Sequence, residues 1–224
     1  MDGASVNNQY DVVSFSILLG MLSLIPLIVV TTTSFLKISL VLLVLRNAIG
    51  VQQAPPTIAI YGIALAVSAF VMAPTVQEIG NRALKLQSST SDSSHAAPLL
   101  QQAQTTLEPL HQFMLKFSQP AQRELFLDSA RKLWPKDMAK AATSSDTLIV
   151  LPAFVVSELQ AGYQIGFLIY IPFVVIDLLI SNLLQALGMQ QVSPQTLTIP
   201  LKMLLFVMVD GWGKLLHALA MSYL

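Results

Sequence analysis

The stretch IGFLIYIPFVVIDLLISNLLQAL, Ile165 to Leu187, decides the fold. It is a continuous apolar run longer than the ~20 residues a helix needs to cross a bilayer. Two residues inside it are unnecessary for a plain anchor: Pro172 and Asp177. Upstream lies TLIVLPAFVVSELQAGYQ, starting at Thr147 and carrying Pro152 and Glu158. It reads as a separate apolar segment, too short to span alone. Downstream, GMQQVSPQT (Gly188 to Thr196) reads as a polar turn. A last helix is expected from about Leu197 to Leu224, with Lys202, Asp210 and Lys214 on it.

The N-terminal part repeats the theme. Val12 to Leu36 is uncharged between Asp11 and Lys37, and Pro26 within it is expected to kink the helix. The apolar pattern resumes from Lys37 to Val51, with Lys37 and Arg46, until QQAPP (Gln52 to Pro56) breaks it. A second spanning stretch runs from Thr57 to Gln77. No Lys or Arg precedes the first apolar run, as a cleavable secretory leader would require, so that run is expected to be a retained helix.

Between these halves the composition changes. Residues 82–146 hold eight of the twelve basic residues. SSTSDSSHAAP reads as loop or disorder. Beyond it Leu107, Leu110, Phe113, Met114 and Phe117 form one helical stripe, punctuated by Pro109 and Pro120. The organisation is therefore an apolar helical hairpin over 1–81, a hydrophilic segment with short amphipathic helices over 82–146, and a second apolar hairpin over 147–224. The short basic link around Arg46 favours a cytoplasmic position, which places 82–146 in the periplasm.

The whole chain agrees. Of its 224 residues, 54% are hydrophobic and 11% charged, against about 25% charged in soluble domains. Mean hydropathy is +0.66. The class is an all-α integral membrane protein. Zero net charge gives no reason to expect nucleic acid as a partner. Without cysteine there is no disulfide, thiolate metal site or cysteine nucleophile.

A charge at the bilayer centre costs at least ~2.5 kcal/mol. Lys37, Arg46, Glu158, Asp177, Lys202, Asp210 and Lys214 lie in or beside apolar runs, so they must face protein, pair, or line water. Asp210 and Lys214, four apart, are placed to pair on one helix face. Two readings stay open: ion pairs that fix helix register inside an oligomer, and a proton or ion path. Mixed sign and scatter over separate segments favour the pairs.

Catalytic patterns are missing. Asp177 and Asp210 lack the Gly-x-Gly-Asp context of aspartyl intramembrane proteases, and no GxSxG turn or HExxH cluster occurs. His95, His111 and His217 are unsuitably placed for a triad. No enzyme, cofactor or metal is expected.

Three strings carry more than composition. SFLKISLVLLVLRNAIGVQQAPP, LPAFVVSELQAGYQIGFLIYIPFVVIDLLISNLLQALGM and SPQTLTIPLKMLLFVMVDGWGKLLHAL resemble, in order, the N-terminal, central and C-terminal motifs of the FliP/SctR family of type III secretion export-apparatus proteins. Without a leader the chain is more similar to the injectisome (SctR) branch than to the flagellar one. The resemblance implies kinked helical hairpins in a five-membered ring with SctS and SctT relatives, in the bacterial inner membrane. It implies SctU and SctV relatives as neighbours, and a portal through which unfolded proteins leave the cytoplasm. It also implies a pore gasket after the glycine of the polar turn. Family members often have several methionines there, whose unbranched side chains adapt to a seal. Here only Met189 remains, followed by Gln190 and Gln191. The turn is therefore either a gasket, resting on Met189 alone or on amide rings of Gln190 and Gln191, or a simple polar link. In a ring, the embedded cations and carboxylates can also meet between copies. A small-solute transporter or channel subunit is the alternative: Pro26 and Pro172 break both halves, as in transporters, but the halves share no visible repeat.

Overall fold

The computed structural model describes residues 15–16, 19–20, 22–51, 54–89, 96–189 and 191–224. These residues are all-helical, with no strand among them. In chain order the helices are α1 (Ile25–Thr32), α2 (Phe35–Ile49), α3 (Thr57–Ser89), α4 (Ala96–Phe117), α5 (Pro120–Leu133), α6 (Lys136–Ala141), α7 (Thr147–Ala186), α8 (Gln195–Met208) and α9 (Gly211–Met221).

Pro26 follows a one-residue break at Leu24 and sits in the opening turn of α1, where its missing N–H costs no helical hydrogen bond. The chain turns sharply at Thr33 and Ser34, so that α1 and α2 meet at 78°. The sequence TTTS explains why. The hydroxyls of Thr31, Thr32 and Thr33 bond back to the carbonyls of Leu27 (2.9 Å), Ile28 (2.7 Å) and Val29 (2.6 Å). Such bonds offer the backbone a partner outside the regular ladder and bend helices. The break after α2 comes where expected: Gly50 adopts φ +87°, and its N–H bonds to the carbonyls of Arg46 and Asn47. That left-handed cap suits glycine because it has no Cβ.

α7 differs from expectation more sharply. The two segments on either side of Gln164 form one helix of 40 residues that runs through both Pro152 and Pro172 without interruption. Pro109 likewise lies inside α4, whereas Pro120 opens α5. The last expected helix is instead two, α8 and α9, meeting at 63°. Asp210 at the joint has φ +53°, a left-handed conformation that Asp tolerates better than most residues. Gly211 and Gly213 follow for steric reasons. A Cβ on Gly211 would run into the Phe206 ring, and one on Gly213 would lie 2.8 Å from Asp210 Oδ2.

α2 is the axis of the packing. Ile38, Val41 and Leu42 are fully buried against Ile60 and Ala64 of α3 and Leu219 of α9, and Leu45 is fully buried in a second cluster with Phe173 of α7 and Phe206 of α8. α7 lies closest to α2 because it offers glycines there. Cβ atoms on Gly162 and Gly166 would come within 2.9 Å of Leu40 Cδ2 and 3.0 Å of Val44 Cγ1. The spacing GYQIG is the small-xxx-small pattern that lets membrane helices approach. α4 closes over the first half of α7 through Met114, Val150 and Phe154, and Ala130 of α5 and Ala142, just past α6, continue that contact at Ile149. The boundary expected at 81–82 falls within α3.

α3 and α7 are each long and apolar enough to cross a membrane, and the bent pairs α1/α2 and α8/α9 raise the spans to as many as four. Forty residues of helix measure about 60 Å, twice the ~30 Å hydrocarbon core. Most residues of the apolar windows of α3 and α7 are exposed in the single chain.

Candidate functional site

The embedded charges sort into two nodes and a remainder. In the first node Lys37 of α2 and Glu158 of α7, both nearly fully buried, lie with Nζ 3.4 Å from Oε1. Tyr223, just beyond α9, completes it. Its hydroxyl donates to Glu158 Oε2 and lies 3.4 Å from the Ser34 carbonyl oxygen. Its ring centroid lies 3.6 Å from Lys37 Nζ, a cation–π contact. Phe113 and Phe117 of α4 pack on the same ring at 5.9 and 5.0 Å. Beside it the Ser34 hydroxyl bonds to Ser68 of α3 at 2.9 Å. A buried charge is tolerable only when paired and hydrogen-bonded, and here both members meet that condition.

The second node ties α8 to α7 and α2. Lys202 Nζ, buried, donates to Asp177 Oδ2 at 2.6 Å and to the Ala48 carbonyl at 3.0 Å. Asp177 is less enclosed, with a side chain 45% exposed. The pair borders a cleft of about 630 Å³ between the end of α2, the middle of α7 and the start of α8, also lined by Asn47, Tyr170, Ser181 and Thr198.

The remaining charges make no ion pair among the described residues. Arg46 donates from a terminal nitrogen to Thr57 Oγ1 at 2.9 Å, while its buried Nε finds no acceptor there. Asp210 and Lys214 are both exposed, and the side-chain pairing expected of them does not form. The physical reason is the break at Asp210: its carboxylate folds over Gly213, and only its carbonyl accepts from the Lys214 backbone N–H, at 3.1 Å.

The polar turn is tight. Gly188 takes φ +73°, and the Met189 N–H reaches back to the Leu184 carbonyl at 3.0 Å. Met189 and Gln191 are exposed, and Gln190 lies outside the described residues. Pro172 sits five residues before Asp177, inside α7. Sequence reasoning missed Tyr223, since a tyrosine near an apolar helix reads equally well as an interfacial residue. It also missed the serine pair, which joins positions 34 apart. Among the described residues no group of three His, Asp or Glu could hold a metal ion.

This is an all-helical membrane protein whose helices are tied by buried ion pairs and leave large apolar faces open. The sequence model of the FliP family matches residues 18–219, and the chain belongs to that family. It is 52% identical over 209 residues to the harpin secretion protein HrpW of Pseudomonas syringae pv. syringae, covering 93% of this chain and 99% of the relative. It is 49% identical over 216 residues to the harpin secretion protein HrcR of Erwinia amylovora, covering 96% and 98%. It is 44% identical over 213 residues to the Yop proteins translocation protein R of Yersinia pestis, covering 95% and 97%. These relatives put the chain on the injectisome side of the family. It has a role in type III secretion and is a multi-pass protein of the bacterial inner membrane.

Proposed function

We propose that the chain is a core pore-forming subunit of the type III export gate, conducting unfolded proteins across the inner membrane. In this reading identical copies form a five-membered ring with SctS and SctT relatives, beside SctU and SctV relatives. The observation that carries it is the α7/α8 hairpin. Leu178, Leu179, Leu183, Leu204, Val207 and Met208 are all exposed on it, around a polar turn. Nothing in the single chain covers these side chains. A helix of twice the bilayer thickness has more apolar length than lipid can cover, which supports burial against other chains. Arg46, Asp210 and Lys214 are then the charges left for contacts between copies, and residues 82–146 face the periplasm. Met189, Gln190 and Gln191 line the seal.

Two experiments test this. Purification in mild detergent is expected to recover the chain with SctS- and SctT-type proteins; a lone monomer or dimer that binds a small solute overturns the reading. Changing Met189, Gln190 and Gln191 together to Ala is expected to raise ion leak through the assembled complex, and unchanged leak removes the gasket role.

A further inference from the structure

We propose that Tyr223 is a positioning residue that registers the hydrophilic helix α4 and the arm α9 onto the spanning helices α2 and α7. The inference stands on the single chain and does not depend on the pore reading. Three observations converge on this one side chain. Its hydroxyl bonds to Glu158 Oε2 on α7. Its ring face holds Lys37 Nζ of α2 at 3.6 Å. Its ring is packed by Phe113 and Phe117 of α4. Lys116 of α4 adds a bond from Nζ to the main-chain oxygen of Leu224 at 3.1 Å.

A phenol does all of this at once. The Lys37–Glu158 pair needs a donor for the second carboxylate oxygen and something that accepts a cation without carrying charge. Phenylalanine supplies the ring alone. An aliphatic side chain supplies neither. The ion pair between α2 and α7 therefore reaches its full set of partners only when α9 is docked and α4 is closed over it. Docking of the hydrophilic layer and completion of the buried pair are one event.

The chain has no cysteine, so single reporter cysteines can be alkylated in the full-length protein in membranes. Leu219→Cys reports undocking of α9, since position 219 is buried against α2 and α3. Ser118→Cys reports the end of α4, also buried. Tyr223→Phe is expected to raise the alkylation rate at both positions at least about fivefold, the scale of one unmet buried hydrogen bond. Glu158→Gln is expected to do the same, and the double variant no more than the larger single. That non-additivity is what a merely space-filling tyrosine would lack. Tyr163→Phe, at an exposed tyrosine, is expected to change nothing. Parental rates in Tyr223→Phe, a response at 219 without one at 118, or single effects that multiply in the double variant each overturn the proposal. Should Tyr223→Phe prevent accumulation, the triple variant Lys37→Met, Glu158→Leu, Tyr223→Phe decides: with no buried pair left to complete, restored accumulation supports the proposal and continued loss overturns it.

Discussion

Glu158→Ala is the substitution whose outcome follows most directly from the geometry. It leaves Lys37, itself 4% exposed, without the carboxylate 3.4 Å away. It also strips the Tyr223 hydroxyl of its carboxylate acceptor, leaving the Ser34 carbonyl oxygen at 3.4 Å. The contact with the Tyr223 ring remains, but it is worth only about 0.5–2 kcal/mol. Removing one member of a buried pair typically costs about 3–5 kcal/mol. For a chain of this length each kcal/mol moves Tm by about 2–4 °C, so a fall of roughly 6–20 °C is expected. The assay is thermal unfolding of the purified chain in detergent, followed by the intrinsic fluorescence of Trp134 and Trp212. The decisive comparison is the double variant Lys37→Met with Glu158→Leu. Replacing a buried pair by apolar residues of similar volume is often neutral or stabilising. The double variant is therefore expected to recover most of the lost Tm. If it unfolds as early as Glu158→Ala, an uncompensated charge is not the cause and the reasoning fails.

Two other perturbations follow from asymmetries in the structure. At the second node Lys202 is buried, whereas Asp177 keeps a side chain 45% exposed. Asp177→Leu strands a buried cation and is expected to cost about 3–5 kcal/mol, while Lys202→Met leaves a carboxylate that water can reach and is expected to cost clearly less; equal losses by thermal unfolding would contradict the assignment of burial. At the α2/α7 crossing, a methyl on Gly162 meets the end of Leu40, which can rotate away, but a methyl on Gly166 meets three atoms of Val44 at 3.0–3.2 Å. Val44 is stiff at χ1, so Gly166→Ala is expected to cost about 1–3 kcal/mol and Gly162→Ala less, read from the same unfolding curves.

What the sequence determined is local and chemical. The length and hydrophobicity of the runs around Val12–Leu36, Thr57–Gln77 and Ile165–Leu187 set an all-helical membrane protein, because a bilayer demands satisfied backbone groups over a known length. The seven embedded charges marked where helices must meet something other than lipid, because a lone charge there is expensive. The two sharpest bends were not marked by proline. Pro26 sits in a first turn, and Pro172 lies within a continuous α7. The sharp bends fall at TTTS and at Asp210, where hydroxyl back-bonding and a left-handed residue interrupt the ladder. Partner choice was left to the tertiary structure. Lys37 could have met any of three carboxylates, and Asp210 could have met Lys214 one turn on. Which pair forms depends on how closely α2 and α7 approach at Gly162 and Gly166, and on where the bent arm carries Tyr223. Those distances join residues as many as 189 apart in the chain. Helical periodicity gives the face of each helix but not the face it meets, and that meeting is what packing alone decides.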